Sequence, residues 1–250
     1  MEMIYSKDFE LTDLHVDCHR RLKSSVLLYL VQEVSTDHAV MLGSGWESLN
    51  SKHLFWAVIR QKVQITRLPE AGEKIRLETW PMPATRVAYP RATIAYDADG
   101  NELFRAMALW VLMNTENRSM VLPGKSGVDV PGIVRGLELN APGSLMPKPL
   151  KNTAVHTVHY SLLDRNGHMN NTRYLDWVDD LLSAAFHKDH PVREFTVCYL
   201  AEAREGQQVT LHWELSQEGI LRVEASRPKE ENSGAEERVF AAQVQFDASF

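Results

Sequence analysis

The sequence predicts an α+β fold built twice over, each time as a long helix packed on a curved antiparallel sheet. Three observations predict it. Each half of the 250-residue chain carries one apolar stripe at helical spacing. Each stripe is followed by segments that alternate apolar and polar residues with period two. Between the halves lies a stretch rich in proline and glycine with no sustained periodicity.

In the first half Leu22, Val26, Leu27, Leu30, Val31 and Val34 mark the helix. After the turn "RLPEAGEK" the segment "EKIRLETW" alternates Ile75, Leu77 and Thr79 with charged residues, the pattern of a half-buried strand. A hairpin follows through "AYPRATIAYDADGNELFRAMALWVLM", turning at Asp99-Gly100. Residues 123–149 read as a linker, which leaves 1–122 and 150–250 as the two units. In the second half Tyr174, Trp177, Val178, Leu181, Leu182 and Ala185 mark one helix. The turn "AEAREGQQ" leads into "QVTLHWEL", with Val209, Leu211, Trp213 and Leu215 on one side. A last hairpin joins "GILRVEAS" to "RVFAAQVQF" through the polar segment 227–237, expected to be a mobile loop. A helix that buries its stripe on an antiparallel sheet gives the α+β layers.

Composition narrows the function. With 44% hydrophobic and 24% charged residues the chain is an ordinary globular protein. A formal net charge of −6 leaves no excess of cations to displace counterions from nucleic acid. Two distant cysteines, Cys18 and Cys198, make no metal framework, and a reducing cytoplasm is the expected setting. The start "MEMIYSKDFELTD" is acidic where a secretory signal would be basic and then apolar, and no apolar run approaches the ~20 residues that span a bilayer. Neither half has a Gly-rich phosphate loop.

The chemistry concentrates in "DRNGHMNNTRY", residues 164–174. The apolar stripe begins at Tyr174, so Asn170 or Asn171 is expected to cap the helix. Capping alone leaves Asp164, Asn166 and His168 unexplained. Their i, i+2, i+4 spacing puts all three on one side if the segment is extended, and Gly167 allows a turn or a close approach.

Taken together, "LVQEVSTDHA", "GSGWESL", "FWAVIRQKVQITRLPEAGEKIRLETWP", "ALWVLMN", "DRNGHMNNTRYLDWV" and "CYLAEAREGQQV" resemble the acyl-ACP thioesterases of bacteria and plants over nearly the whole chain. The resemblance implies a double hotdog fold, with a non-catalytic, acyl-binding first unit and a catalytic second one. It carries the family's catalytic Asp, Asn and His onto Asp164, Asn166 and His168, and the catalytic Glu onto Glu202. Acyl carrier protein is then the partner, no cofactor or metal is required, and a monomer and a homodimer are both open. Plant members have a Cys directly after that Glu; here the residue is Ala203, so a thiol there is not required.

Thioester hydrolysis needs an activated water or a protein nucleophile, donors for the oxyanion, and a departing thiolate. Glu202 or Asp164 fits the first need, as base or as nucleophile. Asn166 and helix N–H groups fit the second, where losing one donor typically costs about 3–4 kcal/mol of barrier. His168 would orient a carboxylate or aid proton transfer. Acyl-CoA hydrolysis and non-hydrolytic acyl binding are the alternatives.

Other features have plainer expectations. Cys198 with His168 and Asn166 could form a Cys-His-Asn set, but "FTVCYL" reads as a strand interior. His156 and His159 fall on opposite faces of a strand, against joint metal ligation, and His187 and His190 suit a helix C-terminus. "DCHRRL" (Asp17, Cys18, His19) sits where the repeat would place a second catalytic loop but lacks the asparagines. Leu27, Leu30, Val34, Trp46 and Trp80 are expected in an acyl tunnel or the core. Arg86, Arg91, Arg173, Arg193 and Arg204 are the candidates to dock an acidic carrier.

Overall fold

The structure, a computed structural model, describes residues 3–135, 139–229 and 234–247. It divides into two compact units, Met1–Pro142 and Gly143–Phe250.

The first unit contains β1 (Tyr5–Glu10), α1 (Ser24–Met41), α2 (Trp46–Asn50), β2 (Leu54–Ile65), β3 (Lys74–Pro81), β4 (Tyr89–Tyr96), β5 (Glu102–Asn114) and β6 (Met120–Val121). Its strands pair antiparallel in the order β1-β3-β4-β5-β2, with β6 against β5. Of the expected stripe, Leu27, Leu30, Val31 and Val34 are buried on α1, joined by Leu28, while Val26 is half-buried and Leu22 is buried just before the helix begins. Eighteen residues without Gly or Pro let the helix run, and it ends at Gly43 in the left-handed region (φ 71°). Gly43 N–H donates to Val40 O and Ser44 N–H to Ala39 O, which caps the last carbonyls.

Alternation fails on β4, where every residue from Tyr89 to Ala95 is buried. The cause lies in the stretch read as linker. Trp80, Ala92, Ile94 and Met107 pack with Leu139 and Ile133, so residues that would otherwise face solvent are covered. Ile133 N–H donates to Pro81 O, and Gly132 lies so close to Met82 that a Cβ there would sit 2.2 Å from its carbonyl carbon.

The second unit contains β7 (Asn152–Thr157), α3 (Tyr174–Asp179), α4 (Ala184–Asp189), β8 (Val192–Tyr199), β9 (Gln208–Leu215), β10 (Ile220–Pro228) and β11 (Glu236–Phe246). Its order, β7-β9-β10-β11-β8, repeats that of the first unit strand for strand. Tyr174 of α3 packs on Phe240 of β11, ring centroids 4.6 Å apart.

The single helix expected from Tyr174 to Ala185 is in fact two short ones. After α3 the bonds tighten, Leu181 N–H to Val178 O and Leu182 N–H to Asp179 O. Ser183 is extended (φ −74°, ψ 156°) and its side chain accepts from Phe186 N–H, so it caps a new helix. His187 Nε2 meets the Asp179 carbonyl oxygen at 2.8 Å across the break. The loop expected over 227–237 is shorter than its composition suggests, since Arg227 and Pro228 pair with Glu237 and Glu236. Residues 230–233 lie outside the described ones.

Candidate active site

The stretch 164–168 is a tight turn, not the extended segment that would project Asp164, Asn166 and His168 to one side. Gly167 takes φ 76°, and its N–H donates to Asp164 O at 3.1 Å. The Asp164 carboxylate folds back onto the chain. Its Oδ1 accepts from Asn166 N–H (2.8 Å) and His168 N–H (3.2 Å), and its Oδ2 from Asn166 Nδ2 (3.3 Å). An aspartate followed by a left-handed glycine favours this local arrangement over an extended strand. Asn170, the first of the two expected caps, accepts from Thr172 N–H and Oγ1, both at 3.0 Å, and starts a 3-10 turn over Asn171–Arg173 ahead of α3.

Glu202 reaches this loop from the turn after β8. His168 bridges to Arg204, Met169 N–H donates to Ala203 O at 2.8 Å, and Asn170 N–H to Leu162 O. These bonds bring His168 Nε2 to 3.3 Å from Glu202 Oε2. The imidazole is largely buried (14% exposed) while the carboxylate stays open to solvent (43%). The phenol oxygen of Tyr174 is hydrogen-bonded to the Ala203 backbone, and burial pushes its titration up. Gln207 closes the turn beneath Glu202: its Oε1 accepts from Arg204 N–H at 2.9 Å and also from Arg227 Nη1.

The first unit builds the same frame with different side chains. Asp17 Oδ1 accepts from His19 N–H (2.8 Å) and Arg21 N–H (3.0 Å), and Arg20 takes the left-handed place of Gly167 (φ 67°). Arg21 bridges to Glu70, and Leu22 N–H donates to Pro69 O. Arg21 therefore stands where His168 stands, His19 where Asn166 stands, and Leu68 where Glu202 stands. This unit has the loop and lacks the His–Glu pair.

Other candidates separate clearly. Cys198 is 1% exposed inside β8, its thiol directed to Gly143 O, and Cys18 is exposed; neither is in a disulfide. His156 stacks on Trp177 at 5.0 Å, and burial lowers its pKa. His190 Nδ1 lies 3.0 Å from Phe186 O at the end of α4. Trp80 is fully buried, whereas Trp46 is exposed at the start of α2. Arg91 is no surface arginine. It is 7% exposed, bonded through Nη1 to His38 Nδ1 (3.1 Å) and Thr79 Oγ1 (3.4 Å), and burial draws its pKa down to about 10. Arg86, Arg173, Arg193 and Arg204 are exposed. Among the described residues no group of three or more His, Cys, Asp or Glu side chains could hold a metal ion. No helix among them is long and apolar enough to cross a membrane.

Two helix-on-sheet units of matching strand order, the second with a carboxylate–imidazole pair at its loop, are a tandem hotdog architecture. The chain belongs to the acyl-ACP thioesterase family: the family's N-terminal domain matches residues 2–122 and its C-terminal domain residues 148–246. The structure is similar to that of an acyl-ACP thioesterase from Bacteroides thetaiotaomicron, with a TM-score of 0.88, 26% identity, and 98% of each chain covered. It shares its fold with the 12:0-ACP thioesterase of Umbellularia californica, with a TM-score of 0.81, 21% identity, and 99% of this chain and 98% of that one covered. Among plant sequences, the palmitoyl-acyl carrier protein thioesterase of Gossypium hirsutum is 24% identical over 218 residues, 80% of this chain and 52% of its own length. The oleoyl-acyl carrier protein thioesterase 1 of Arabidopsis thaliana is 24% identical over 225 residues, 82% of this chain and 62% of its own. The chain thus spans about half to three fifths of the length of these plant relatives.

Proposed function

We propose that this protein hydrolyses acyl-acyl carrier protein thioesters and releases the free fatty acid. The observation that carries the reading is the 3.3 Å contact between His168 and the open carboxylate of Glu202, inside a family motif. Glu202 activates a water, which adds to the thioester carbonyl. The exposed Asn166 amide offers a donor to the developing oxyanion. His168 orients Glu202 and passes a proton, the C–S bond breaks, and the carrier's pantetheine thiolate leaves as the thiol. In this scheme the second unit does the chemistry and the first binds the acyl chain, with residues 123–149 joining them. An acidic carrier protein would meet exposed arginines, of which Arg173 and Arg204 lie on the site's own loops.

The test is turnover of acyl-carrier-protein and acyl-CoA substrates over a chain-length series. The reading expects hydrolysis with the carrier protein favoured. A preference for CoA would move the protein to acyl-CoA hydrolysis, and tight acyl binding with no turnover of any thioester would make it a carrier.

A further inference from the structure

The two units bury opposite kinds of side chain under their helices. In the second unit the row Trp213–Val223–Ala242–Val197 lies on the face of Phe240, the face that meets α3, and is apolar throughout. So is the next row, Leu215–Leu221–Val244–Phe195. The matching rows of the first unit read Thr79–Thr93–Ala106–Val63 and Pro81–Arg91–Ala108–Gln61. Thr79, Thr93, Arg91 and Gln61 thus stand where Trp213, Val223, Leu221 and Phe195 stand. All of them are buried, from 0% exposed at Thr79 to 7% at Arg91. His38 of α1, itself fully buried, meets Arg91 from above the sheet.

At the centre of this cluster is a cation without a counter-ion. Arg91 has no ion-pair partner among the described residues. Its Nη1 donates to His38 Nδ1 at 3.1 Å and to Thr79 Oγ1 at 3.4 Å, so the imidazole accepts and brings no negative charge. Thr79 Oγ1 is already engaged, donating to Ala92 O at 2.8 Å and accepting from Thr93 Oγ1 at 3.0 Å. The remaining N–H groups of Arg91, on Nε and Nη2, bond no group among the described residues. With its pKa drawn down only to about 10, the guanidinium stays protonated at neutral pH. A buried charge without a partner is costly, and Leu221 shows that the fold does not require one at this place.

We propose that Arg91 forms a carboxylate-binding subsite inside the first unit, and that the acyl chain held there carries a carboxyl group at its far end. The free edge of the guanidinium, Nε with Nη2, is the fork that takes both oxygens of a carboxylate. Ala108 lies between Arg91 and Gln61 on the sheet and adds only a methyl group to the floor. The inference rests on the reading that the first unit binds the acyl chain. A methyl-ended acyl chain has nothing to offer the guanidinium, whereas a carboxylate supplies the missing charge and acceptors.

The experiment measures kcat/KM for carrier-protein monothioesters of α,ω-dicarboxylic acids beside methyl-ended acyl thioesters of equal length, over a length series. At the length that reaches Arg91, the carboxyl-ended substrate is expected to be the better of the pair. Arg91→Met is expected to lower the ratio of carboxyl-ended to methyl-ended turnover by about 10–100-fold, the usual worth of a hydrogen bond to a charged group. Arg91→Lys, which keeps the charge without the fork, is expected to fall between. Calorimetric binding of the free diacids and monoacids reads the same ratio without turnover. A carboxyl-ended ligand that is equal or poorer at every length overturns the inference. An unchanged ratio in Arg91→Met overturns it too, because the carboxylate then lodges elsewhere. Should Arg91→Met fail to fold, the series on the parent and the ratio in Arg91→Lys decide. If the parent hydrolyses no thioester, the thioesterase reading fails by itself, and diacid against monoacid binding still decides whether Arg91 holds a carboxylate.

Discussion

His168 Nε2 and Glu202 Oε2 face each other at 3.3 Å although 33 residues of chain separate them. The contact forms because the Glu202 turn and the 164–170 loop are tied by backbone bonds, Met169 N–H to Ala203 O among them. The imidazole is the more buried of the two and the carboxylate the more exposed.

The break between α3 and α4 is held by one serine. Ser183→Ala removes the oxygen that accepts from Phe186 N–H. We expect a loss of about 0.5–2 kcal/mol in urea unfolding, typical of an N-cap, with kcat unchanged. A loss in kcat of the same order as at Glu202 would show that the break serves the site.

Glycines 132 and 167 should respond differently to alanine. At Gly167 a Cβ meets nothing within 4 Å, so only the left-handed backbone (φ 76°) costs, about 1–2 kcal/mol. At Gly132 a Cβ would lie 2.2–2.3 Å from Met82 and Pro83 backbone atoms, which cannot yield as a side-chain tip can. Gly132→Ala is therefore expected to be the more destabilising of the two in chemical denaturation, by displacing the segment that covers Trp80.

Equivalent turns in the two units should differ in acid. Glu73 and Gln207 accept the same kind of backbone bond, from Glu70 N–H and Arg204 N–H. The hydrogen bond from Arg67 holds the Glu73 carboxyl below its ordinary range. A carboxylate depressed in the folded state contributes stability above its unfolded pKa of about 4.3 and loses it as pH falls through the lower folded value. Gln207 has no such proton to take up. Hydrogen exchange between pH 7 and pH 3 should show the Glu70–Glu73 turn loosening in acid, and Glu73→Gln should remove that dependence.

Arg91 gives a prediction about burial. It is a buried guanidinium with no ion-pair partner among the described residues, held by His38 Nδ1 and Thr79 Oγ1. Removing it takes a donor away from these buried groups, and a buried polar group left unsatisfied costs about 1–3 kcal/mol. Arg91→Met should therefore unfold at lower denaturant concentration and leave carrier-protein binding to the folded protein unaltered. Weaker binding with stability intact would return Arg91 to the docking surface.

Much of the fold was legible because burial on one face leaves periodicity: α1, β3 and the start of β9 follow their patterns. The pattern misled where a second surface acts. β4 is buried on both sides because residues near Ile133 and Leu139 cover it, and nothing local in "YPRATIAY" announces that. The stripe from Tyr174 to Ala185 stays in helical phase across a break made by Ser183, whose capping is local and polar. At the site, the motif proposes residues but carries no record of their geometry. Asp164 turns inward because Gly167 lets the loop curl, and an i, i+2, i+4 spacing carries no record of that. The signal available was the repeat itself: "DCHRRL" keeps the aspartate and drops the rest.

The most direct test of the central claim is the single-turnover rate of Glu202→Gln on acyl-carrier protein, with substrate binding measured in parallel. The account predicts unchanged folding and binding and a rate lower by about 10²–10⁴-fold, the usual worth of a positioned general base. A rate within a few-fold of the parent would contradict it, because the carboxylate facing His168 would then have no part in the reaction.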